Sequence, residues 1–171
     1  MIVCIPTKGR PSTKTYKLFE EAGYEVYHFI EPQEMEVYPV KNKICIEAND
    51  KGVTYVRNFM LDWCRNKNIT WAWFCDDDVD GFGIYNGKTV RQGASALKSV
   101  EDKAQKLPFE IVGLSYVQYA WTEKKSYGIN SKFAEVCTLM NVSKIKWNYN
   151  EDTKEDRDFA MQTIQNGNGI L

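Results

Sequence analysis

Apolar residues recur along this chain in short continuous runs, separated by stretches in which they return every three or four positions. The short runs predict strands, and the stretches with helical spacing predict helices. Strands are predicted at residues 1–6 and 24–30, within 40–48, and at 71–75, 111–119 and 135–142. Helices are predicted from Ser12 to a cap at Gly23, from Val53 to Asn66, at 94–106 and at 155–165, whereas residues 81–93 are predicted to be irregular.

The alternation of strands and helices predicts an α/β fold with a mostly parallel sheet flanked by helices. No repeat, low-complexity linker or change of composition divides the 171 residues, so a single domain spanning residues 1–171 is expected. In open sheets of this kind, ligands bind at the carboxyl ends of the strands. We therefore expect the loops that follow the first strand and the strand at 71–75 to border one crevice.

The loop after the strand at 71–75 carries three successive aspartates, Asp76, Asp77 and Asp78. Adjacent carboxylates repel one another, so packing alone gives no reason to gather them, whereas a bound divalent cation would neutralise them. Ligands that are all oxygen favour a hard ion such as Mg²⁺ or Mn²⁺. An acidic turn exposed to solvent is the plain alternative. Asp76, Asp78 and Asp80 have the spacing with which an EF-hand calcium loop begins. The loop is not an EF-hand, because its twelfth position is Gly87, where that motif requires Glu.

The loop after the first strand contains two cations, Lys8 and Arg10, which suit a phosphate-bearing ligand. The rest of the composition mainly serves to exclude classes of function. The net charge is −1, so no overall basic field indicates nucleic acid. His28 is the only histidine, which rules out a two-histidine metal site and makes a core or surface position its expected role. Five cysteines without CxxC spacing are expected to be buried free thiols in a reducing compartment.

Four segments, in this order, resemble the nucleotide-sugar glycosyltransferases of GT-A type, whose architecture is Rossmann-like. They are residues 2–11 (Ile-Val-Cys-Ile-Pro-Thr-Lys-Gly-Arg-Pro), Val56-Arg57-Asn58, Asp76-Asp77-Asp78, and residues 155–159 (Glu-Asp-Arg-Asp-Phe) with Gln162 and Gly167 downstream. The first and last segments also resemble the TET-associated glycosyltransferase group, which is thought to glycosylate hydroxymethylated pyrimidines in phage DNA. The resemblance implies metal-dependent transfer of a sugar from a nucleoside-diphosphate sugar, UDP-linked, to a 5-hydroxymethylpyrimidine base in DNA.

The resemblance also assigns roles to individual residues. Asp78 would coordinate a Mn²⁺ or Mg²⁺ ion that bridges the donor diphosphate, and Asp76 would share the metal or contact the ribose or donor sugar. The rest of the donor site would be formed by Pro6, Thr7, Arg10, Arg57, Asn58 and Asp77. A Lewis acid suits this chemistry, because departure of a nucleoside diphosphate develops charge on phosphate oxygens.

Glu155 and Asp156 would begin a helix beneath the acceptor, where the helix dipole favours an anionic carboxylate. In an inverting mechanism one carboxylate removes the proton of the attacking hydroxyl. Asp156 is the candidate base and Glu155 the second choice. The alternative is an ordinary helix with an acidic first turn, and a retaining mechanism would change the role of Asp156.

One departure from the family pattern concerns the metal. Many GT-A enzymes supply a further ligand, often histidine, after the acidic helix, and no histidine follows His28 here. Either the metal relies on the aspartates and the donor phosphates, or the sequence is a C-terminally shortened form that holds the donor without turnover.

Two rival functions would use the same residues. A metal-dependent nucleotidyltransferase or nuclease also gathers aspartates, and it would release pyrophosphate or cleaved nucleic acid. A non-catalytic module of this fold would bind nucleotide or DNA without transfer. If DNA binds, the aromatic and basic stretch at residues 116–127 would supply stacking and phosphate contacts, although a strand with a solvated loop fits it equally well. No membrane partner and a cytoplasmic location are expected, in the host cytoplasm if the protein is phage-encoded.

Overall fold

The structure, a computed structural model, describes residues 1–85, 88–119, 128–130, 134–150 and 154–171. Its strands are β1 (Ile2–Thr7), β2 (Glu25–Ile30), β3 (Lys43–Cys45), β4 (Trp71–Cys75), β5 (Gly83–Tyr85), β6 (Thr89–Arg91), β7 (Ile111–Gly113) and β8 (Cys137–Asn141). Its α-helices are α1 (Thr15–Glu20), α2 (Val53–Asn66), α3 (Leu97–Ala104) and α4 (Glu155–Gln165), with short 3₁₀ turns at Pro32–Glu34, Ala94–Ala96 and Val117–Tyr119. None of the helices in the described ranges is both long and apolar enough to cross a membrane.

Six of the strands form one sheet in the order β3-β2-β1-β4-β8-β7. Neighbours from β3 through β4 are parallel, whereas β8 runs antiparallel between β4 and β7. The sheet is therefore mostly parallel, which confirms the predicted α/β class. The chain leaves β1 towards β2 on one side, and β4 lies on the other side, so the strand order switches between β1 and β4. Ligand crevices form at the carboxyl end of such a switch point.

Side chains of the central strands alternate between two core layers, one on each face of the sheet. The layer shared with α2 and α4 contains Cys4, Phe74, Met60 and Phe159, and the layer shared with α1 and α3 contains Ile5, Trp73, Phe19 and Leu97. Four of the five residues of β4 are buried, because helices cover both faces of this central strand. That is why its sequence contains no polar residue until Asp76, where the strand ends.

Two predicted segments differ from the structure. The strand predicted at 111–119 ends at Gly113, since pairing with β8 stops there, and the chain then enters the 3₁₀ turn Val117–Tyr119. The region at 81–93, predicted to be irregular, contains the antiparallel hairpin of β5 and β6. Strands of three residues are too short for alternation to reveal them in the sequence.

The prediction that every cysteine is a buried free thiol is wrong. Cys75 and Cys137 lie directly opposite each other on β4 and β8, with Cα atoms 4.1 Å apart, and form a disulfide. Cys4 and Cys64 are buried free thiols, whereas Cys45 is exposed on the edge strand β3. The bonded pair is 62 positions apart in the sequence and meets only through strand pairing, which the spacing of the cysteines does not reveal.

His28 on β2 is a core residue. Its ring packs edge-on against Tyr16, and Nδ1 has no hydrogen-bond partner among the described residues. Burial lowers the pKa of His28 from 6.5 to about 4, because a charged imidazole would lose its hydration. The imidazole therefore stays neutral in the folded protein at neutral pH.

We predict that His28→Phe makes the stability less sensitive to acid. The unfolded chain protonates this histidine near pH 6.5 and the folded chain only near pH 4, so the stability that neutral His28 supports is complete above pH 6.5 and is lost as the pH falls towards 4. Between neutral pH and pH 4 this protonation lowers the free energy of unfolding by about 3 kcal/mol. Urea unfolding across that range measures it, and parallel pH profiles of wild type and variant would contradict it.

Candidate active site

The loops after β1 and β4 meet at the carboxyl edge of the sheet, as predicted. Arg10 donates hydrogen bonds from Nη1 to Asp77 Oδ1 at 2.8 Å and to Asp78 Oδ2 at 2.9 Å. The hydroxyl of Thr7 donates to Asp77 Oδ2 at 2.8 Å, and Asp77 is buried. One guanidinium and one hydroxyl thus offset the repulsion between these two carboxylates.

Lys8, the second cation of the β1 loop, pairs with a different set of carboxylates. Its ammonium contacts buried Glu31, which follows β2, at 2.9 Å, and it also contacts Asp50, which precedes α2. Of the two cations that the sequence offers to a phosphate, Arg10 lies at the aspartate turn, whereas Lys8 fastens its loop to the neighbouring segments.

Asp76, the first of the three aspartates, is paired with an arginine of α2. Arg57 donates from Nη2 to Asp76 Oδ1 at 3.0 Å and from Nη1 to Glu155 Oε1 at 2.5 Å. The side chains of Arg57 and Glu155 are only 13% and 12% exposed, so solvent screens their attraction little. A single guanidinium therefore joins the aspartate turn to the first turn of α4.

The pKa of Asp76 reflects opposing influences. Burial is the largest and raises the pKa, the Arg57 guanidinium lowers it, and the charges of Asp78 and Asp77 raise it again, leaving the pKa above its usual value. A cation bound beside this carboxylate would act in the same direction as Arg57 and favour the charged form.

A small cleft with a cavity volume of about 20 Å³ lies where β4, α2 and the start of α4 come together. Its lining includes Pro6, Arg57, Asp76, Glu135, Tyr149 and Asp156. Glu155 is not among the lining residues, and its carboxylate is bonded to Arg57. Of the two carboxylates predicted to be catalytic, only Asp156 borders the cleft.

Asp77 and Asp78 border a second, wider cleft of about 520 Å³ beside the start of α1. Arg10 and Thr15 also line it, and the Thr15 hydroxyl accepts a hydrogen bond from the backbone N–H of Val79 at 2.9 Å, which holds the aspartate turn in place. The three aspartates, which the sequence presents as one set, are therefore divided between two clefts.

Asn58 supports the first cleft from the backbone side. Its side-chain amide donates to the carbonyl of Tyr149 and accepts from the N–H of the same residue, both at 2.8 Å. The Tyr149 ring stacks on Phe159 of α4 with centroids 4.0 Å apart, and the Arg57 guanidinium lies 5.7 Å from the Tyr149 centroid. The family resemblance implies that Asn58 contacts the nucleotide, which stays a prediction, and in the structure the side-chain amide of Asn58 holds this loop.

The first turn of α4 contains Glu155, Asp156 and Asp158, and the side chain of Lys154, the residue before the helix, makes no capping hydrogen bond. Lys154, which precedes the helix, has a left-handed backbone with φ of 61°. Acidic side chains at this position interact favourably with the unpaired N–H groups and the helix dipole. This attraction explains how three like charges gather in one turn.

The carboxylates described at this edge of the sheet do not converge on one point as the ligands of a metal ion would. Within the described ranges, no group of three or more His, Cys, Asp or Glu is arranged to hold an ion. Asp78 has 63% of its side chain exposed, and Asp76 borders the first cleft. Mg²⁺ is commonly bound through one or two carboxylates together with substrate phosphates and waters. Asp76 and Asp78 fit a site of that kind and not an ion cage built by the protein alone.

The model of the TET-associated glycosyltransferase family matches residues 1–171, the whole chain. The chain belongs to the TET-associated glycosyltransferase family. It is therefore an enzyme of the sugar-transferring class. Comparison with curated proteins gives no significant match.

Solved structures share the fold of this glycosyltransferase. The crystal structure of A197 from STIV matches with a TM-score of 0.57 and 17% identity, covering 99% of this chain and 80% of that one. The structure of CMP:2-keto-3-deoxy-manno-octonic acid synthetase complexed with CTP matches with a TM-score of 0.58 and 11% identity, over 99% of this chain and 87% of that one. At such low identity the likeness concerns the fold alone.

Glu135 lines the first cleft of the glycosyltransferase although no sequence motif points to it. It follows Ala134 and precedes β8, which runs antiparallel to β4, so the start of β8 lies at the same sheet edge as the end of β4. The next residue, Val136, has φ of 62°, a conformation that β-branched residues rarely adopt, and its carbonyl accepts the N–H of Asp76 at 2.8 Å. Recognising Glu135 in advance would have required the pairing of β4 with β8.

The stretch at residues 116–127, predicted to contact DNA, is described only in part. Tyr116 and Tyr119 are exposed, with ring centroids 6.1 Å apart. The basic pair Lys124 and Lys125 lies outside the described residues, so the phosphate contacts proposed for it stay a prediction.

We predict that Arg57→Met destabilises the glycosyltransferase by roughly 2–4 kcal/mol, because Asp76 and Glu155 lose their common partner in a poorly solvated place. The pKa of Asp76 should rise further, since Arg57 is the group that lowers it. Chemical denaturation and carbon NMR of the aspartate carboxyls measure the two effects. Lys67→Met, at an exposed position just after the same helix, is the matched control and should change stability by less than about 0.5 kcal/mol. Equal losses in both variants would contradict the bridge.

Proposed function

We propose that this glycosyltransferase is metal-dependent and transfers a sugar from a UDP-linked donor to the hydroxyl of a 5-hydroxymethylpyrimidine base in DNA. The main support is the Arg57 bridge, which joins a carboxylate of the aspartate turn to the acidic start of α4 beside one cleft. In the proposed reaction, the metal-bound donor diphosphate uses the carboxylate of the aspartate turn, and the acceptor hydroxyl uses a carboxylate at the start of α4. Membership of the TET-associated family supports the acceptor.

The donor diphosphate is proposed to bind at the aspartate turn. Asp76 and Asp78 would hold Mn²⁺ or Mg²⁺, which when bound stabilises the negative charge of the leaving diphosphate. Arg10 is already fixed by two carboxylates, and a guanidinium carries five N–H donors, so it retains donors for a phosphate oxygen. Thr7 contributes indirectly, because its hydroxyl keeps Asp77 in position to orient Arg10.

In the proposed transfer, the hydroxymethyl oxygen attacks the anomeric carbon of the sugar, and the bond from that carbon to the phosphate oxygen breaks. UDP leaves with the electron pair of that bond, and Asp156 accepts the proton of the hydroxyl. Asp156 suits this role better than Glu155, because Asp156 borders the cleft while the Glu155 carboxylate is bonded to Arg57. These roles apply to inversion at the anomeric carbon.

We expect the proposed acceptor base to leave the base stack before its hydroxyl reaches Asp156. Enzymes that carry out chemistry on a base commonly act on single strands or on flipped nucleotides. The exposed rings of Tyr116 and Tyr119 support this arrangement, since aromatic side chains are the usual platform for an unstacked base.

We predict that UDP binding needs both a divalent ion and Asp78. Calorimetric titration of UDP in the presence of Mn²⁺ should give measurable affinity that EDTA abolishes and that Asp78→Asn weakens by at least about tenfold, the loss expected when one of few metal ligands is removed. Asp102→Asn, an exposed aspartate on α3, is the matched control and should bind UDP as the wild type does. Equal UDP affinity with and without metal would remove the metal-dependent donor site.

We predict that Asp156→Asn lowers kcat for sugar transfer by about 10²- to 10⁴-fold, because the hydroxyl proton loses its acceptor. UDP affinity should stay unchanged, which separates this loss from a damaged donor site. Product analysis decides among the reaction classes. Release of pyrophosphate or cleavage of the oligonucleotide would favour a nucleotidyltransferase or nuclease, and full transfer activity in Asp156→Asn would refute its role as base.

A further inference from the structure

Glu135 places a carboxylate on the same cleft as Asp156, and the transfer step leaves it without a task. Its side chain is only 15% exposed. Arg157 donates from Nε to Glu135 Oε1 at 2.9 Å, and the Tyr116 hydroxyl donates to Oε2 at 3.3 Å. Each carboxylate oxygen accepts more than one hydrogen bond. Glu135 is therefore held in one orientation and keeps the capacity to accept from a ligand in the cleft.

Arg157 fixes Glu135 relative to Asp156. Its backbone N–H donates to Asp156 Oδ1 at 2.8 Å while its guanidinium holds Glu135. The two carboxylates therefore share one neighbour and border one cleft. In the proposed complex, an acceptor whose hydroxyl lies at Asp156 would have the adjacent part of its own structure near Glu135, because both residues line the same cleft.

The two possible acceptor bases differ in the group that would lie beside Glu135. On a 5-hydroxymethylpyrimidine, the hydroxymethyl group at C5 is next to the substituent at C4. In cytosine that substituent is an amino group, which donates, and in uracil it is a carbonyl oxygen, which accepts. An ionised carboxylate can only accept, so it attracts the amino group and repels the carbonyl oxygen.

We propose that Glu135 makes this glycosyltransferase selective for 5-hydroxymethylcytosine over 5-hydroxymethyluracil by accepting a hydrogen bond from the C4 amino group. This inference rests on the proposed function, which leaves the identity of the pyrimidine open. Tyr116 orients the carboxylate through its hydroxyl, and its exposed ring offers a face on which the same base stacks. Glu135 reads the edge of the base, and Tyr116 holds its plane.

The test compares two fluorescent single-stranded oligonucleotides that differ only in one base, 5-hydroxymethylcytosine or 5-hydroxymethyluracil. Fluorescence anisotropy in the presence of UDP and Mn²⁺ gives their dissociation constants and requires no knowledge of the donor sugar. The wild type should bind the cytosine form about tenfold more tightly, a typical value for one good contact to a base edge. Glu135→Gln should abolish or reverse this preference, because an amide can donate to the uracil carbonyl.

Three variants separate edge reading from other effects. Glu135→Gln keeps an oxygen that can accept from Arg157, and circular dichroism checks that its fold is retained. Glu36→Gln, an exposed position, is the matched control and should keep the wild-type preference. Tyr116→Ala removes both the stacking face and the hydroxyl that orients Glu135, so it should weaken binding of both oligonucleotides by about 5- to 100-fold and also reduce the preference for the cytosine form.

The outcomes distinguish this inference from the proposed function. Equal binding of both oligonucleotides by the wild type, or a preference that survives in Glu135→Gln, overturns the role of Glu135 while the function stands. Binding of UDP without binding of either oligonucleotide contradicts the DNA acceptor itself, and the selectivity is then refuted with it.

Discussion

The arrangement of this site depends on one partly buried guanidinium, that of Arg57. Arg57 is bonded to Asp76 on one side and to Glu155 on the other, and its positive charge compensates two carboxylates, of which Glu155 is largely shielded from solvent. The next residue of the helix, Asn58, fastens the Tyr149 loop that precedes α4. One turn of α2 therefore fixes the distance between the end of β4 and the start of α4. The donor and acceptor sides of the proposed reaction are held by the same helix.

The three aspartates raise a physical question that their sequence cannot answer, namely how adjacent carboxylates coexist. Strand alternation turns Asp76 towards α2 and Asp77 towards the opposite face, and each finds a different arginine. Asp78, at the exposed end, shares Arg10 with Asp77. Two arginines from separate elements thus distribute the negative charge over two clefts. Because Arg10 and Arg57 already neutralise much of the charge of the aspartates, these carboxylates alone would attract a metal ion weakly. This suits an ion that binds together with the phosphates of its substrate.

Elements with strong local signals could be predicted from the sequence. β1 and β4 are continuous apolar runs, α2 has clear helical spacing, and the aspartate turn follows from the end of β4. The features that could not be predicted from the sequence depend on contacts between residues far apart in the chain. Arg57 and Glu155 are 98 positions apart, and Cys75 meets Cys137 only through strand pairing. For the same reason the sequence shows Asn58 as a polar helix residue but not as a support of Tyr149, and it shows Glu135 as a strand boundary but not as part of the cleft. Local sequence patterns indicate which segments contain functional residues, whereas contacts between distant segments decide which of those residues share a site.

The most direct test of this account is a crystal structure of the protein with UDP and Mn²⁺, in which the anomalous signal of manganese locates the ion. The ion should lie between the diphosphate and the carboxylates of Asp76 and Asp78, and Arg57 should still join Asp76 to Glu155. The hydroxyl-accepting side of the cleft, at Asp156, should remain open towards the anomeric position. A diphosphate bound away from the aspartate turn, or an Arg57 that has left Glu155 when the nucleotide binds, would contradict the claim that one helix holds both sides of the reaction.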